Sequence, residues 1–156
     1  MIELSIPGFR TLRLENLVLD FNGTIACDGR LLDGISERVE KLSSLLKIFI
    51  LTANTYSSVK QAASGMPCEI VVLSDPDEAR AKAEFVKTLG EDKTAAIGNG
   101  RNDRLMLKEA ALGIAVIQTE GAATENVLAA DIVCTHIHAA LDLLLNPMRL
   151  KATLRS

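Results

Sequence analysis

Asp20 follows directly on the apolar run Leu17-Val18-Leu19 and opens the stretch Asp20-Phe21-Asn22-Gly23-Thr24. A carboxylate at the carboxyl end of a buried strand, followed at once by a glycine-containing turn, is where an open α/β sheet places a reacting group. Such a carboxylate can attack phosphorus and form an aspartyl phosphate, splitting one hydrolysis into two displacements. It can also simply cap the turn that follows it. A second loop of the same kind comes later, where Ala95-Ala96-Ile97 runs into Gly98-Asn99-Gly100-Arg101-Asn102-Asp103 and then into the helical pattern of Leu105-Met106-Leu107. Acidic and amide oxygens at two strand ends suggest one polar pocket suited to a divalent cation and a phosphate. Thr52 ends the run Ile48-Phe49-Ile50-Leu51 and precedes Ala53-Asn54-Thr55. Its hydroxyl is placed either to meet a phosphoryl oxygen at a helix N-terminus or to cap that helix.

Short apolar strands alternate with longer amphipathic stretches, and these must position the pocket. The pattern predicts strands over 2–6 and 11–14 (an N-terminal hairpin around Pro7-Gly8), 15–21, 47–52, 68–73, 94–97, 112–117 and 131–135. Helices are predicted over 35–46, 55–64, 77–89, 102–110 and 124–129, with one closing helix over 139–154. Asp77 reads as an N-cap and Gly90 as a stop. Strand–helix alternation at this period implies a three-layer, Rossmann-like parallel sheet with helices on both faces. Residues 22–34 are the one polar, glycine-rich interruption, placed to lie over the carboxyl edge of the sheet as a flap.

With 156 residues and no linker or repeat, a single domain over 1–156 is expected. Hydrophobic residues make up 48% but aromatics only 3%, so the core must be built from Leu, Ile, Val and Ala. A formal charge of -3 gives no reason to expect nucleic acid or an anionic membrane as partner. Cys27, Cys68 and Cys134 lack metal-type spacing and read as reduced thiols, pointing to the cytoplasm. Cys134, His136 and His138 alternate, and either line a soft-metal site or mark a strand end and a helix start. Asp28 and Asp33 read as turn residues. No apolar run reaches the roughly 18 residues of a membrane span, and Met1 to Arg10 lacks the apolar stretch of an export signal.

The two loops together resemble the haloacid dehalogenase (HAD) superfamily of phosphohydrolases, and within it the phosphorylation domain of P-type ATPases. The phosphatase motif of that family is Asp-x-Asp-Gly-Thr, which Asp20, Gly23 and Thr24 match. Its metal loop is Gly-Asp-Gly-x-Asn-Asp, which Gly98, Gly100, Asn102 and Asp103 match. Leu112-Gly113-Ile114-Ala115-Val116 and Ala130-Asp131-Ile132-Val133 are similar to P-type ATPase strands, so the likeness runs from about Leu17 to Val133. The resemblance implies catalytic roles for Asp20 as nucleophile, Asn22, Thr52 and Lys82. Lys82 fits the Lys-x-x-x-Val/Ile-x-x-Leu pattern ahead of the metal loop, with Lys87 as its competitor. It implies phosphate or substrate contacts from Gly23, Ala53, Asn54 and Asn102. It implies Mg²⁺ held by Asp20, the main-chain carbonyl of Asn22, Asn99 and Asp103.

Two departures matter. Asn22 stands where phosphatases of the family carry the Asp that protonates the leaving group and then activates water. An amide cannot exchange that proton, and such catalysis is typically worth about 10²–10⁴-fold. Asn99 replaces the first Asp of the metal loop and brings an oxygen without a charge. The intervals from Asp20 to Thr52 and from Thr52 to Lys82 are filled by the assigned elements, so no cap domain is expected. An open pocket offers a phosphorylated small molecule few contacts, and capless members of the resembled family act on large phosphorylated partners or complete the site by oligomerising. The expected partner is a phosphorylated small molecule or macromolecule, with a homo-oligomer completing the site as a further possibility. The reading favoured is a Mg²⁺-dependent phosphohydrolase acting through an aspartyl phosphate, slowed by Asn22. Two alternatives stay open: a low-activity or inactive phosphate- or nucleotide-binding regulatory module, and a stand-alone P-type phosphorylation domain that needs a partner.

Overall fold

In the computed structural model, residues 1–53 and 56–156 are described. The N-terminal hairpin pairs β1 (Ile2–Ser5) with β2 (Thr11–Leu14) antiparallel. The chain then enters β3 (Asn16–Asp20), every residue of which is buried. Continuous burial is what a strand covered on both faces requires, and it explains the unbroken apolar run before Asp20. The flap follows as a small hairpin of β4 (Ala26–Cys27) and β5 (Arg30–Leu31).

From there strands and helices alternate: α1 (Ile35–Ser43), β6 (Lys47–Thr52), α2 (Tyr56–Ala62), β7 (Glu69–Val72) and α3 (Glu78–Leu89). Then come β8 (Thr94–Gly98), a 3-10 turn over Arg101–Asp103, α4 (Arg104–Glu109), β9 (Leu112–Val116), α5 (Thr124–Ala129) and β10 (Ile132–Cys134). The six main strands are parallel, in the order β10-β9-β8-β3-β6-β7. Helices cover both faces, as the alternation predicts. On one face α1, α2, the C-terminal helices and the β1–β2 hairpin bury Leu17, Leu19, Ile48, Ile50, Ile97 and Ile114. On the other, α3, α4 and α5 cover Val18, Phe49, Leu51, Ala96 and Ala115. Alternate residues of each strand thus feed opposite layers, the period-2 geometry of a strand.

The closing helix departs from expectation. It is two helices, α6 (Ile137–Leu145) and α7 (Pro147–Leu154), broken at Asn146. Pro147 lacks an N–H and disfavours helical backbone at the residue before it, so it begins a new helix where the apolar periodicity reads straight through. The helix expected over 102–110 likewise starts with a 3-10 turn. Asp77 does cap α3, its side chain accepting from the Arg80 N–H, and Gly90 ends it. Among the described residues no inserted domain stands over the sheet, and no helix is long and apolar enough to cross a membrane.

Candidate active site

The strand order reverses beside β3. The chain runs outward through β6 and β7, then returns to β8 on the other flank of β3. The crevice outside the carboxyl ends of strands at such a reversal is where open α/β sheets bind ligands. Asp20 ends the central strand β3, Thr52 ends β6 on one side, and the Gly98–Asp103 loop follows β8 on the other. These residues are far apart in the chain, and parallel register brings them to one edge.

Lys82 joins them. Its Nζ donates to Asp20 Oδ1 and to Asp103 Oδ1, both at 2.6 Å, so these two oxygens lie within about twice that distance of each other. Lys82 is 1% exposed, Asp103 0% and Asp20 7%. Burial works to lower the Lys82 pKa, but the two carboxylates and their hydrogen bonds outweigh it and hold the ammonium above the ordinary lysine range. Asp103 moves the other way. Burial and the neighbouring Asp20 carboxylate push it up to about 6, against the opposing pull of Lys82 and the Gly100 N–H. Lys87, the competitor, is solvent-facing and pairs with Glu84 and Glu109.

Asp103 is fixed from its second oxygen, Oδ2, which accepts from the N–H groups of Asn99 (3.0 Å) and Gly100 (2.8 Å). A side chain at Gly98 would run into this carboxylate, so glycine is required there. Thr24, fully buried, donates to Asp20 Oδ2 at 3.0 Å, with Asn99 Oδ1 farther away at 3.4 Å. A hydroxyl has one proton, and the shorter, charge-assisted contact claims it. Thr24 therefore aims the Asp20 carboxylate, a contact the sequence motif contains but its residue types do not reveal. Gly23 sits at φ +81, and a Cβ there would collide with the Asn99 amide. Glycine at this point lets the Asp20 turn press against the Gly98–Asp103 loop.

The cavity at this edge, about 320 Å³, is lined by Asp20, Asn22, Thr52, Ala53, Glu78, Lys82, Asn99, Gly100, Asn102 and Glu120. Of the residues expected at the site, Asp103 lies beneath Lys82 rather than on the cavity wall. Gly23 faces the adjoining cavity, and its N–H is taken by the Ala26 carbonyl at 2.7 Å. Asn54 lies outside the described residues. Asn22 spends its side-chain oxygen on the Gly29 N–H at 3.0 Å, tying the Asp20 turn to the flap hairpin. Asn102 donates to Glu78 at 2.6 Å. Glu78 and Lys82 are four residues apart on α3 and so share the face that meets the cavity.

Two residues had no signal in the sequence. Glu120 arrives on the loop after β9, far from any motif. Asn126, fully buried in α5, donates to the Gly98 carbonyl at 3.0 Å and steadies the Gly98–Asp103 loop from behind. His136 caps α6 by accepting from the Ala139 N–H, and His138 Nε2 lies 2.6 Å from the Asp33 carbonyl. Both line the adjoining cavity, while Cys134 is buried in β10. These three residues thus take the strand-end and helix-start roles.

No family model matches the chain. Among solved structures, it superposes on a putative HAD superfamily (subfamily III A) hydrolase from Legionella pneumophila with a TM-score of 0.71 at 18% identity, over 90% of this chain and 87% of that one. This is the HAD fold. The same fold is shared with the 3-deoxy-D-manno-octulosonate 8-phosphate phosphatase of Moraxella catarrhalis, solved with magnesium and phosphate ions. That match has a TM-score of 0.67 at 19% identity, over 91% of this chain and 94% of that one. The P-type side of the HAD fold is represented by the catalytic domain of the CPx-ATPase CopB-B, at 28% identity and TM-score 0.59, over 74% of this chain and 46% of that one. In sequence, the HAD-fold chain is 51% identical over 82 residues to the uncharacterized protein MJ0073 of Methanocaldococcus jannaschii, spanning 50% of this chain and 88% of that protein. The two belong to one family.

Proposed function

We propose that this chain is a divalent-cation-dependent phosphohydrolase in which Asp20 is the nucleophile. One observation carries the reading: a buried ammonium bridging two carboxylates at 2.6 Å each, at the edge where Thr52 also stands. A lysine so placed neutralises a nucleophilic carboxylate and an arriving phosphoryl group together, the electrostatic work that phosphoryl transfer chiefly asks of a protein.

The donor set also fits a magnesium ion. Asp20, Asp103, the Asn99 amide oxygen and the Asn22 carbonyl would hold it, and all are hard oxygen donors. The two carboxylates and one ammonium leave a net negative charge for the ion to balance. When bound, such an ion supplies charge neutralisation for the phosphoryl oxygens. The rest falls to the chain. An Asp20 oxygen attacks phosphorus, the bond from phosphorus to the leaving oxygen breaks, and Lys82 and Thr52 stabilise the transferring group. Water then cleaves the aspartyl phosphate, releasing phosphate and restoring Asp20.

Asn22 cannot move a proton in either step, so a substrate whose leaving group departs unprotonated tests the nucleophile by itself. The test is to mix stoichiometric protein with acetyl phosphate and Mg²⁺ and look for acid-stable label on Asp20. Wild type shows a burst of acetate release exceeding steady turnover, and Asp20→Asn shows none. The regulatory-module reading is favoured by one observation, that both amides are already spent on structure (Asn22 on Gly29, Asn99 on Gly121). It replaces the enzyme reading if phosphate binds and stabilises the fold while acetyl phosphate leaves no label.

A further inference from the structure

Two carboxylates besides Asp20 line the reaction cavity, Glu78 and Glu120. Glu78 is held against the wall by Asn102. Glu120 is exposed, and its carboxylate lies within 4.8 Å of the Cys27 thiol. Among the described residues, Glu120 is the one that lines both the reaction cavity and its neighbour, a second cavity of about 330 Å³.

The loop carrying Glu120 is fixed on both sides. Ahead of it, Gln118 Nε2 donates to the carbonyls of Gly23 (2.8 Å) and Thr24 (2.7 Å), while its Oε1 accepts from the Ile137 N–H. Behind it, the Gly121 carbonyl accepts from Asn99 Nδ2, and the Ala123 N–H donates to the Asn99 carbonyl, both at 3.0 Å. Glu120 is thus suspended between the nucleophile turn and the metal loop. A proton-transfer group must be held so, since its effectiveness rests on hydrogen-bond reach of the reacting oxygen.

Resting on the phosphohydrolase reading, we infer that Glu120 carries the proton that Asn22 cannot. As Asp20 attacks phosphorus and the bond to the leaving oxygen breaks, the Glu120 carboxyl gives its proton to that oxygen, and an alcohol departs. Glu120, now a carboxylate, takes a proton from the water that attacks the aspartyl phosphate. Phosphate leaves, Asp20 is restored, and Glu120 is again protonated. The neighbouring cavity receives the alcohol. Its lining of Thr119, Thr135, His136 and His138 with Leu32 suits a polar alcohol, so the substrate class is an alkyl phosphomonoester.

The experiment compares kcat/KM for glycerol 3-phosphate and for p-nitrophenyl phosphate, with Mg²⁺, in wild type and Glu120→Gln. Only the first substrate needs a proton on its leaving oxygen, so its rate relative to the second falls by about 10²-fold in the variant. Introducing Asn22→Asp into Glu120→Gln restores most of that ratio, which a merely structural role for Glu120 would not allow. A wild type active on these esters whose ratio is unchanged by Glu120→Gln, or whose two rates fall equally, overturns the role of Glu120 alone. A wild type inactive on both esters and unlabelled by acetyl phosphate overturns the phosphohydrolase reading with it.

Discussion

Replacing Lys82 with methionine keeps the length of the side chain and deletes the charge that Asp20 and Asp103 share. Removing one partner of a buried ion pair typically costs about 3–5 kcal/mol, because the remaining charge is stranded. Here two carboxylates are stranded, but Asp20 borders the cavity and regains water, which favours the lower end, about 3 kcal/mol. With a urea m-value of about 2 kcal/mol/M, the unfolding midpoint of Lys82→Met falls by about 1.5 M near pH 7.5. The deficit has a definite pH dependence. Asp103 is raised from 3.8 to about 6 on folding. A carboxyl raised in this way favours the folded state while protonated, and that contribution is lost as pH climbs through about 6. Losing Lys82 removes a cation that holds this pKa down, so the loss reaches higher pH, and lowering the pH to about 5 shrinks the variant's deficit. Millimolar Mg²⁺ near pH 7.5 shrinks it too. Urea unfolding followed by circular dichroism, with and without Mg²⁺ at both pH values, reads all of this. A midpoint shift below about 0.3 M, indifferent to pH and Mg²⁺, would refute the reasoning that Lys82 balances the two carboxylates.

Other perturbations probe the same edge. Gly23→Ala forces a side chain into a left-handed backbone and against the Asn99 amide; thermal denaturation should show a loss of about 2 kcal/mol or more, with weaker Mg²⁺ binding by calorimetry. Asn99→Asp restores a charged ligand but turns a carboxylate toward the Gly121 carbonyl, so the metal-free protein should melt earlier while less Mg²⁺ is needed for half-maximal burst. Asn22→Asp alone should leave both alkyl phosphate hydrolysis and acetyl phosphate cleavage within a few-fold of wild type, as measured by phosphate release, because Glu120 already carries the proton; a gain of about ten-fold or more on the alkyl ester would show that it does not. Mg²⁺ affinity should weaken as pH falls below about 6, because Asp103 must lose its proton to ligate; calorimetry in buffers of different ionisation enthalpy would count the proton released.

Local chemistry made much of this molecule legible from its residues. Unbroken apolar runs at Leu17–Leu19, Ile48–Leu51 and Ala95–Ile97 announced strands buried on both faces, since only a strand covered by two helical layers can be apolar throughout. Asp77 and Gly90 marked the ends of α3 because caps act on their own neighbouring amides and carbonyls. The turns at Asp20 and at Gly98–Asp103 were readable because tight turns at strand ends demand glycine beside the polar side chains. The break at Asn146 was missed where apolar periodicity drowned out Pro147, a single residue whose missing N–H decides the matter. What spacing could not contain is which distant side chains meet. Lys82 reaches Asp20 and Asp103 because β8 returns to the flank of β3, and that crossover places α3 over the shared edge. The choice between Lys82 and Lys87 follows from the same packing, which buries one lysine and leaves the other in solvent. Glu120 gains its position from Gln118 and Gly121, which bond to turns about 95 and 22 residues away in the chain. Such contacts are set by the layering of the sheet and its helices, a property of the folded whole that no local pattern of residues encodes.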